Sequence, residues 1–172
     1  MRPWSFLAGI LFAMASGSGL AQNVPRAATS NWMVSETTSP VDYKPLVVAM
    51  TRSRDSPEKS AMELSIHCRN GQTNLVVTGS AISGSEDGYA ISYRINGDKP
   101  VEAGAGSPSF APGVAFRGDV IRLLQSFPDE GEIVIRLTAR TGVVREGSFV
   151  LDGLGRVRTK IASACKWPKP EN

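Results

Sequence analysis

The sequence predicts a mainly β or α+β domain: an antiparallel β-sandwich-like arrangement of about eight strands, with a short mid-chain helix and a C-terminal covering helix. Three observations predict it. Apolar and polar residues alternate over residues 62–68, 89–95 and 133–140, the period-2 signature of half-buried strands. Turn signals separate successive apolar runs, above all Asn70-Gly71 and Asn96-Gly97, because Asn and Gly both accept the positive φ of a tight hairpin. Only near the end do apolar residues recur at helical spacing, at Leu154, Val157, Ile161 and Ala164/Cys165.

Each element follows from local chemistry. Trp32 to Ser35 begins a strand-like pattern that Ser39-Pro40 breaks, and Leu46 to Thr51 resumes it with β-branched residues. Residues 52–60 are charged and contain Pro57, so they read as an exposed loop. Met62, Leu64, Ile66 and Cys68 alternate with Glu63, Ser65 and His67 before the Asn70-Gly71 turn. A two-residue loop there pairs Ile66 with Leu75 and Leu64 with Val77, and His67 with Asn74 and Glu63 with Thr78 on the other face. After residues 89–95 a two-residue loop would set Tyr93 against Pro100, which has no N–H for the ladder. A three-residue loop, pairing Tyr93 with Val101 and Ile91 with Ala103, is the register expected. Residues 103–113 are rich in Gly, Ala and Pro and read as too weak for a long strand.

Asp119 is placed to cap a short helix in which Val120, Leu123 and Leu124 share a face and which Pro128 ends. Residues 133–140 and 144–151 form a third hairpin around Thr141-Gly142. The last helix, with Asp152 as its expected cap, turns Arg156, Arg158, Lys160 and Ser163 outward and is stopped by Pro168 and Pro170.

The N-terminus starts with one charge, Arg2, then runs apolar for about a dozen residues to small residues at Gly19 and Ala21. That is the pattern of a cleavable secretory signal, and the run is short of the roughly 20 residues a membrane-spanning helix needs. The expected organisation is residues 1–21 as signal peptide, 22–31 as a flexible leader, 32–168 as a single β-rich domain and 169–172 as a tail. No membrane span is expected after signal cleavage. Removing 21 of 172 residues leaves 151, a normal size for one domain.

Without Arg2 the balance is 18 basic against 16 acidic residues. So small a surplus argues against a nucleic-acid partner, which calls for clustered Lys and Arg. Two cysteines exist, Cys68 and Cys165, and in an oxidising compartment an even pair reads as one disulfide. Neither a four-ligand zinc spacing nor a Cys-x-x-Cys redox pair is present.

Chemistry is sparse. His67 is the only histidine, so a Ser-His-Asp or Cys-His set depends on it. It reads as a surface histidine on the polar face of its strand, pointing away from the Cys68 side. The pairs Glu86-Asp87 and Asp129-Glu130 are chain neighbours in turn-like loops, where side chains diverge, whereas carboxylate catalysis needs two groups facing across a cleft. No catalytic residue, metal site or cofactor is expected. A candidate binding surface is basic: Arg136, Arg140 and Arg145 on the third hairpin with Arg156, Arg158 and Lys160 on the last helix. It would face an anionic cell-wall or surface ligand, the alternative being an ordinary solvated surface. Trp32, Trp167, Tyr89 and Tyr93 read as core or rim packing.

Several stretches form an ordered series: Trp32-x-Val34-Ser35-Glu36-Thr37-Thr38-Ser39-Pro40, Val47-Val48, Leu64-Ser65-Ile66-x-Cys68, Tyr93-Arg94-Ile95-Asn96, Phe149-x-Leu151-x-Gly153-Leu154 and Ala164-Cys165-x-Trp167. In that order and spacing the chain resembles the VasI/TagO family of exported proteins associated with type VI secretion, over residues 32–167. The resemblance implies a periplasmic location, supports a Cys68–Cys165 bridge and brings no catalytic residues. Fuller members carry a further cysteine-containing segment before the domain, where this chain has only residues 22–31.

The functional expectation is a non-catalytic periplasmic accessory or binding protein, associated with type VI secretion or another envelope assembly. Its partner would be an envelope protein or a cell-wall component. The alternatives are a module binding an anionic ligand through the basic face, and a hydrolase.

Overall fold

The computed structural model describes residues 31–40, 43–54, 61–80, 82, 88–108, 110 and 112–168. Residues 1–30, where a signal peptide and most of a leader are expected, and residues 169–172, the expected tail, lie outside the described residues. The elements are β1 (Met33–Thr38), β2 (Pro45–Arg52), β3 (Met62–Arg69), β4 (Gln72–Gly79), β5 (Tyr89–Ile95), β6 (Val101–Gly106), β7 (Val114–Arg117), α1 (Val120–Ser126), β8 (Glu132–Ala139), β9 (Val144–Val150) and α2 (Leu154–Cys165). The strands form one antiparallel sheet in the order β1-β2-β3-β4-β7-β6-β5-β8-β9. The fold is therefore mainly β with two helices.

Hairpin registers follow turn chemistry. Around Asn70-Gly71, Ile66 faces Leu75, Leu64 faces Val77, His67 faces Asn74 and Glu63 faces Thr78. Tyr93 lies opposite Val101 and Ile91 opposite Ala103, the three-residue-loop register. The third hairpin pairs residues 132–138 with 150–144.

The expected eight strands become nine because Val114–Arg117 is itself a strand. Its first three residues are all buried, so it shows no alternation to read. β7 pairs with β4 on one side and β6 on the other, and so welds two groups of hairpins into one sheet. Gly113 permits this close approach: its φ is +120°, and a Cβ there would lie 2.5 Å from the Val77 carbonyl oxygen.

The sheet curls until the segment after β2 reaches β9. Just past β2, the Arg54 N–H donates to the Ser148 carbonyl on β9 at 2.8 Å, and Gly147 lies against the Met62 thioether. Inside the roll, Leu64, Ile66, Leu75, Ile91, Ile133, Ile135, Leu137 and Phe149 are buried. Helix α2 adds Leu154, Val157, Ile161 and Cys165 to this core and packs on β2, β3 and β4. Its last turn is covalently tied to β3 by a Cys68–Cys165 disulfide, with Cα atoms 5.6 Å apart. Beyond it, Trp167 Nε1–H donates to Thr73 Oγ1 at 2.7 Å.

Two expectations about helix ends are corrected. Asp119 caps α1 by accepting from the Arg122 N–H at 2.9 Å, as expected. Asp152 does not cap α2; the N-cap is Gly153 in the left-handed conformation, and Asp152 accepts from the Gly131 N–H instead. Arg158 does not turn outward. Its guanidinium donates to the carbonyls of Leu124 at 3.0 Å and Phe127 at 2.6 Å, and to Asp129. It closes the C-terminal end of α1, where carbonyls lack helical partners.

Candidate functional site

His67 is the natural first place to look for chemistry, and β3 gives it a hydroxyl neighbour. Ser65 lies two residues back on the same face, and its Oγ is 2.9 Å from His67 Nε2. Ser65 is only 2 % exposed, and its hydroxyl donates to the Val76 carbonyl. The Phe110 ring lies over the imidazole with centroids 4.8 Å apart. His67 is thus half-buried under an aromatic ring, not on an open polar face, and this loss of water lowers its pKa. A serine nucleophile needs access and an oriented base; this one is covered. Its strand position two residues from His67 was the available sequence signal for the contact.

Of the acidic pairs, residues 86–87 lie outside the described residues. Asp129 binds Arg158 and abuts Gly155, where a Cβ would sit 2.8 Å from the carboxylate. Among the described residues no group of three or more His, Cys, Asp or Glu side chains is arranged to hold a metal ion. No described helix is long and apolar enough to cross a membrane.

The six basic residues are distributed over different environments. Arg136 stands opposite Glu146 across β8 and β9 and pairs with it at 3.4 Å; Arg94 takes the other oxygen of the same carboxylate at 3.7 Å. Arg145 is opposite Leu137, one position along from that pair and hence on the opposite face of the sheet. The Arg140 side chain lies against Gly88. On α2, Lys160 is paired with Glu36 and Arg158 is committed to α1 and Asp129, while Arg156 is exposed. The aromatic residues pack: Trp32 is buried, and Tyr93 meets the rings of Phe116 and Phe127.

Among the described strands, β1 alone is exposed at every one of its six residues. Met33 is 53 % and Val34 38 % accessible. One edge of β1 pairs with β2 from Met33↔Met50 to Thr38↔Pro45; no described strand pairs with the other. Hydrogen bonding fixes which groups face that open edge. The Ser39 N–H donates to the Lys44 carbonyl at 2.9 Å, so Ser39 and Lys44 form a bonded pair. Antiparallel ladders alternate, so Thr37, Ser35 and Met33 bond to β2 as well. The N–H and C=O groups of Val34, Glu36 and Thr38 therefore point away from β2. Beside them, between β1 and α2, runs an open groove of about 580 Å³ lined by Glu36, Thr38, Pro45, Val47, Lys160 and Ala164. Sequence reasoning placed a strand here but not its edge position, which depends on the order of strands in the sheet.

No family model, no curated protein and no solved structure matches this chain.

Proposed function

We propose that the protein is a non-catalytic accessory or binding protein of the periplasm, serving type VI secretion or another envelope assembly. The observation that carries the binding role is the exposed strand β1, with one unpaired edge among the described residues and a groove beside it. Rigid bodies that bind other proteins present such surfaces at fixed geometry. The non-catalytic part rests on His67 and Ser65, the one hydroxyl–imidazole contact among the described residues, in which the Ser65 hydroxyl is buried and the half-buried imidazole lies against Phe110. The compartment and the assembly rest on the signal-like N-terminus and on the ordered motifs from Trp32 to Trp167.

The test is site-specific photo-crosslinking in living cells. A photoreactive side chain replaces Met33, at the exposed start of β1, and in a separate protein Arg69, exposed at the end of β3. A discrete adduct with an envelope protein from the Met33 position, and not from the Arg69 position, is expected. Absence of any adduct from Met33, or the same adducts from both, overturns the reading.

A further inference from the structure

We propose that the open edge of β1 is an acceptor for an added strand: an extended segment of a partner polypeptide, carrying a basic residue flanked two positions away on each side by small or apolar residues. This deepens the binding role above and rests on it.

The first argument is the backbone. Val34, Glu36 and Thr38 each direct an N–H and a C=O away from β2. Such a row is satisfied most fully by another extended backbone, which supplies alternating acceptors and donors at the same repeat. Sheet edges that must stay unpaired carry charged side chains, Pro, a bulge or very short length. β1 reads Met-Val-Ser-Glu-Thr-Thr over six residues, with an unbroken register to β2. It has no Lys, Pro or bulge, and its one charge, Glu36, works against a like-charged strand but not against a cationic one.

The second argument is charge, and it selects the occupant. A second copy of this chain pairing β1 to β1 uses all three outward positions only when Val34 meets Thr38 and Glu36 meets Glu36. Like charges directly opposite one another are destabilising. A foreign strand with Lys or Arg opposite Glu36 reverses that sign. Glu36 already binds Lys160 through Oε1, leaving Oε2 for the incoming cation. The molecule uses this arrangement elsewhere, where Glu146 holds Arg94 by one oxygen and Arg136 by the other.

Cross-strand pairing supplies the flanking preference. Residues of the added strand opposite Val34 and Thr38 stand beside β-branched side chains on the same face of the sheet. Short, β-branched or apolar side chains pair with them without leaving a charge unpaired.

The experiment uses the full chain, expressed for export and purified oxidised, with the synthetic peptide Thr-Val-Thr-Arg-Thr-Val-Thr as probe. Hydrogen exchange read by NMR should slow by about tenfold or more at Val34, Glu36 and Thr38 at saturating peptide, with little change at Ser35 and Thr37. N-methylation of the probe's Val and Arg residues should abolish binding, and N-methylation of its central Thr residues should spare it. Replacing the probe's Arg by Glu should weaken binding by about tenfold. Val34→Pro removes only an outward N–H and should lower affinity without lowering Tm, whereas Ser35→Pro breaks the bond to β2 and should lower Tm.

Unchanged exchange at all three amides overturns the proposal, as does equal sensitivity to both N-methylation patterns. Protection already present without peptide also overturns it, because the edge is then filled by the chain itself or by a second copy. Peptide binding with no crosslinked envelope adduct removes the proposed function and leaves the acceptor edge. An adduct that survives Val34→Pro removes the acceptor edge and leaves the function.

Discussion

The imidazole of His67 is deprived of water by β3 on one side and by the Phe110 ring on the other. Burial lowers its pKa, so the folded state resists the proton that the unfolded chain takes up near the ordinary value of 6.5. Stability from this residue is therefore complete above pH 6.5 and is lost as pH falls below it. Urea titrations at a series of pH values should show the unfolding midpoint dropping on acidification. His67→Gln should flatten that part of the profile, and an unchanged slope would remove His67 as the cause. Thr51 supplies a second residue-level test. It is buried on the core side of β2, and its hydroxyl has no hydrogen-bond partner among the described residues. Thr51→Val should stabilise the fold by about 1 kcal/mol, since an unmet buried hydroxyl costs more than it contributes.

At the scale of elements, alternation and turn chemistry carry far, and close approach does not show. The 62–79 hairpin was legible because two independent signals agree: Asn70-Gly71 fixes the loop, and Leu64 and Ile66 fix the inward face. β7 was not legible. Three consecutive buried residues have no period, and the need for glycine at position 113 appears only when the Val77 carbonyl is in place. Gly113→Ala should accordingly cost several kcal/mol, about 2–4 if the strain resembles other positive-φ sites with a clash, measured as a fall in the unfolding midpoint. Arg158 makes the same point about side chains. Helical spacing placed it outward with Arg156 and Lys160, yet α1 packs where it can take the guanidinium, and its side chain is 19 % exposed. Arg158→Ala should destabilise by about 2–3 kcal/mol through the carbonyls of Leu124 and Phe127 left without donors, while Arg156→Ala should change stability little.

At the scale of the whole molecule, the site was the least legible part. Residues 33–35 read correctly as strand, but their status as an edge is a property of the sheet order, set by contacts as distant in sequence as Arg54 with Ser148. The covalent link was legible from the cysteine count taken together with the signal-like N-terminus. Joining residues 97 apart, it should contribute up to about 4–5 kcal/mol in the chain-entropy view. Reduction, or the double change Cys68→Ala with Cys165→Ala, should lower the denaturation midpoint accordingly. An unaffected midpoint would show that burial of Leu154, Val157 and Ile161 alone holds α2.

The link also divides the molecule mechanically. β4 through α2 lie within a covalent ring, while β1, β2 and most of β3 precede Cys68. Under tension applied at the two termini, those leading strands can peel away, lengthening the tether by at most about 3.3–3.6 Å for each residue released. The 97-residue span cannot be drawn out at all while the sulfurs stay joined. A load passed through β1 would thus meet a hard stop at Cys68.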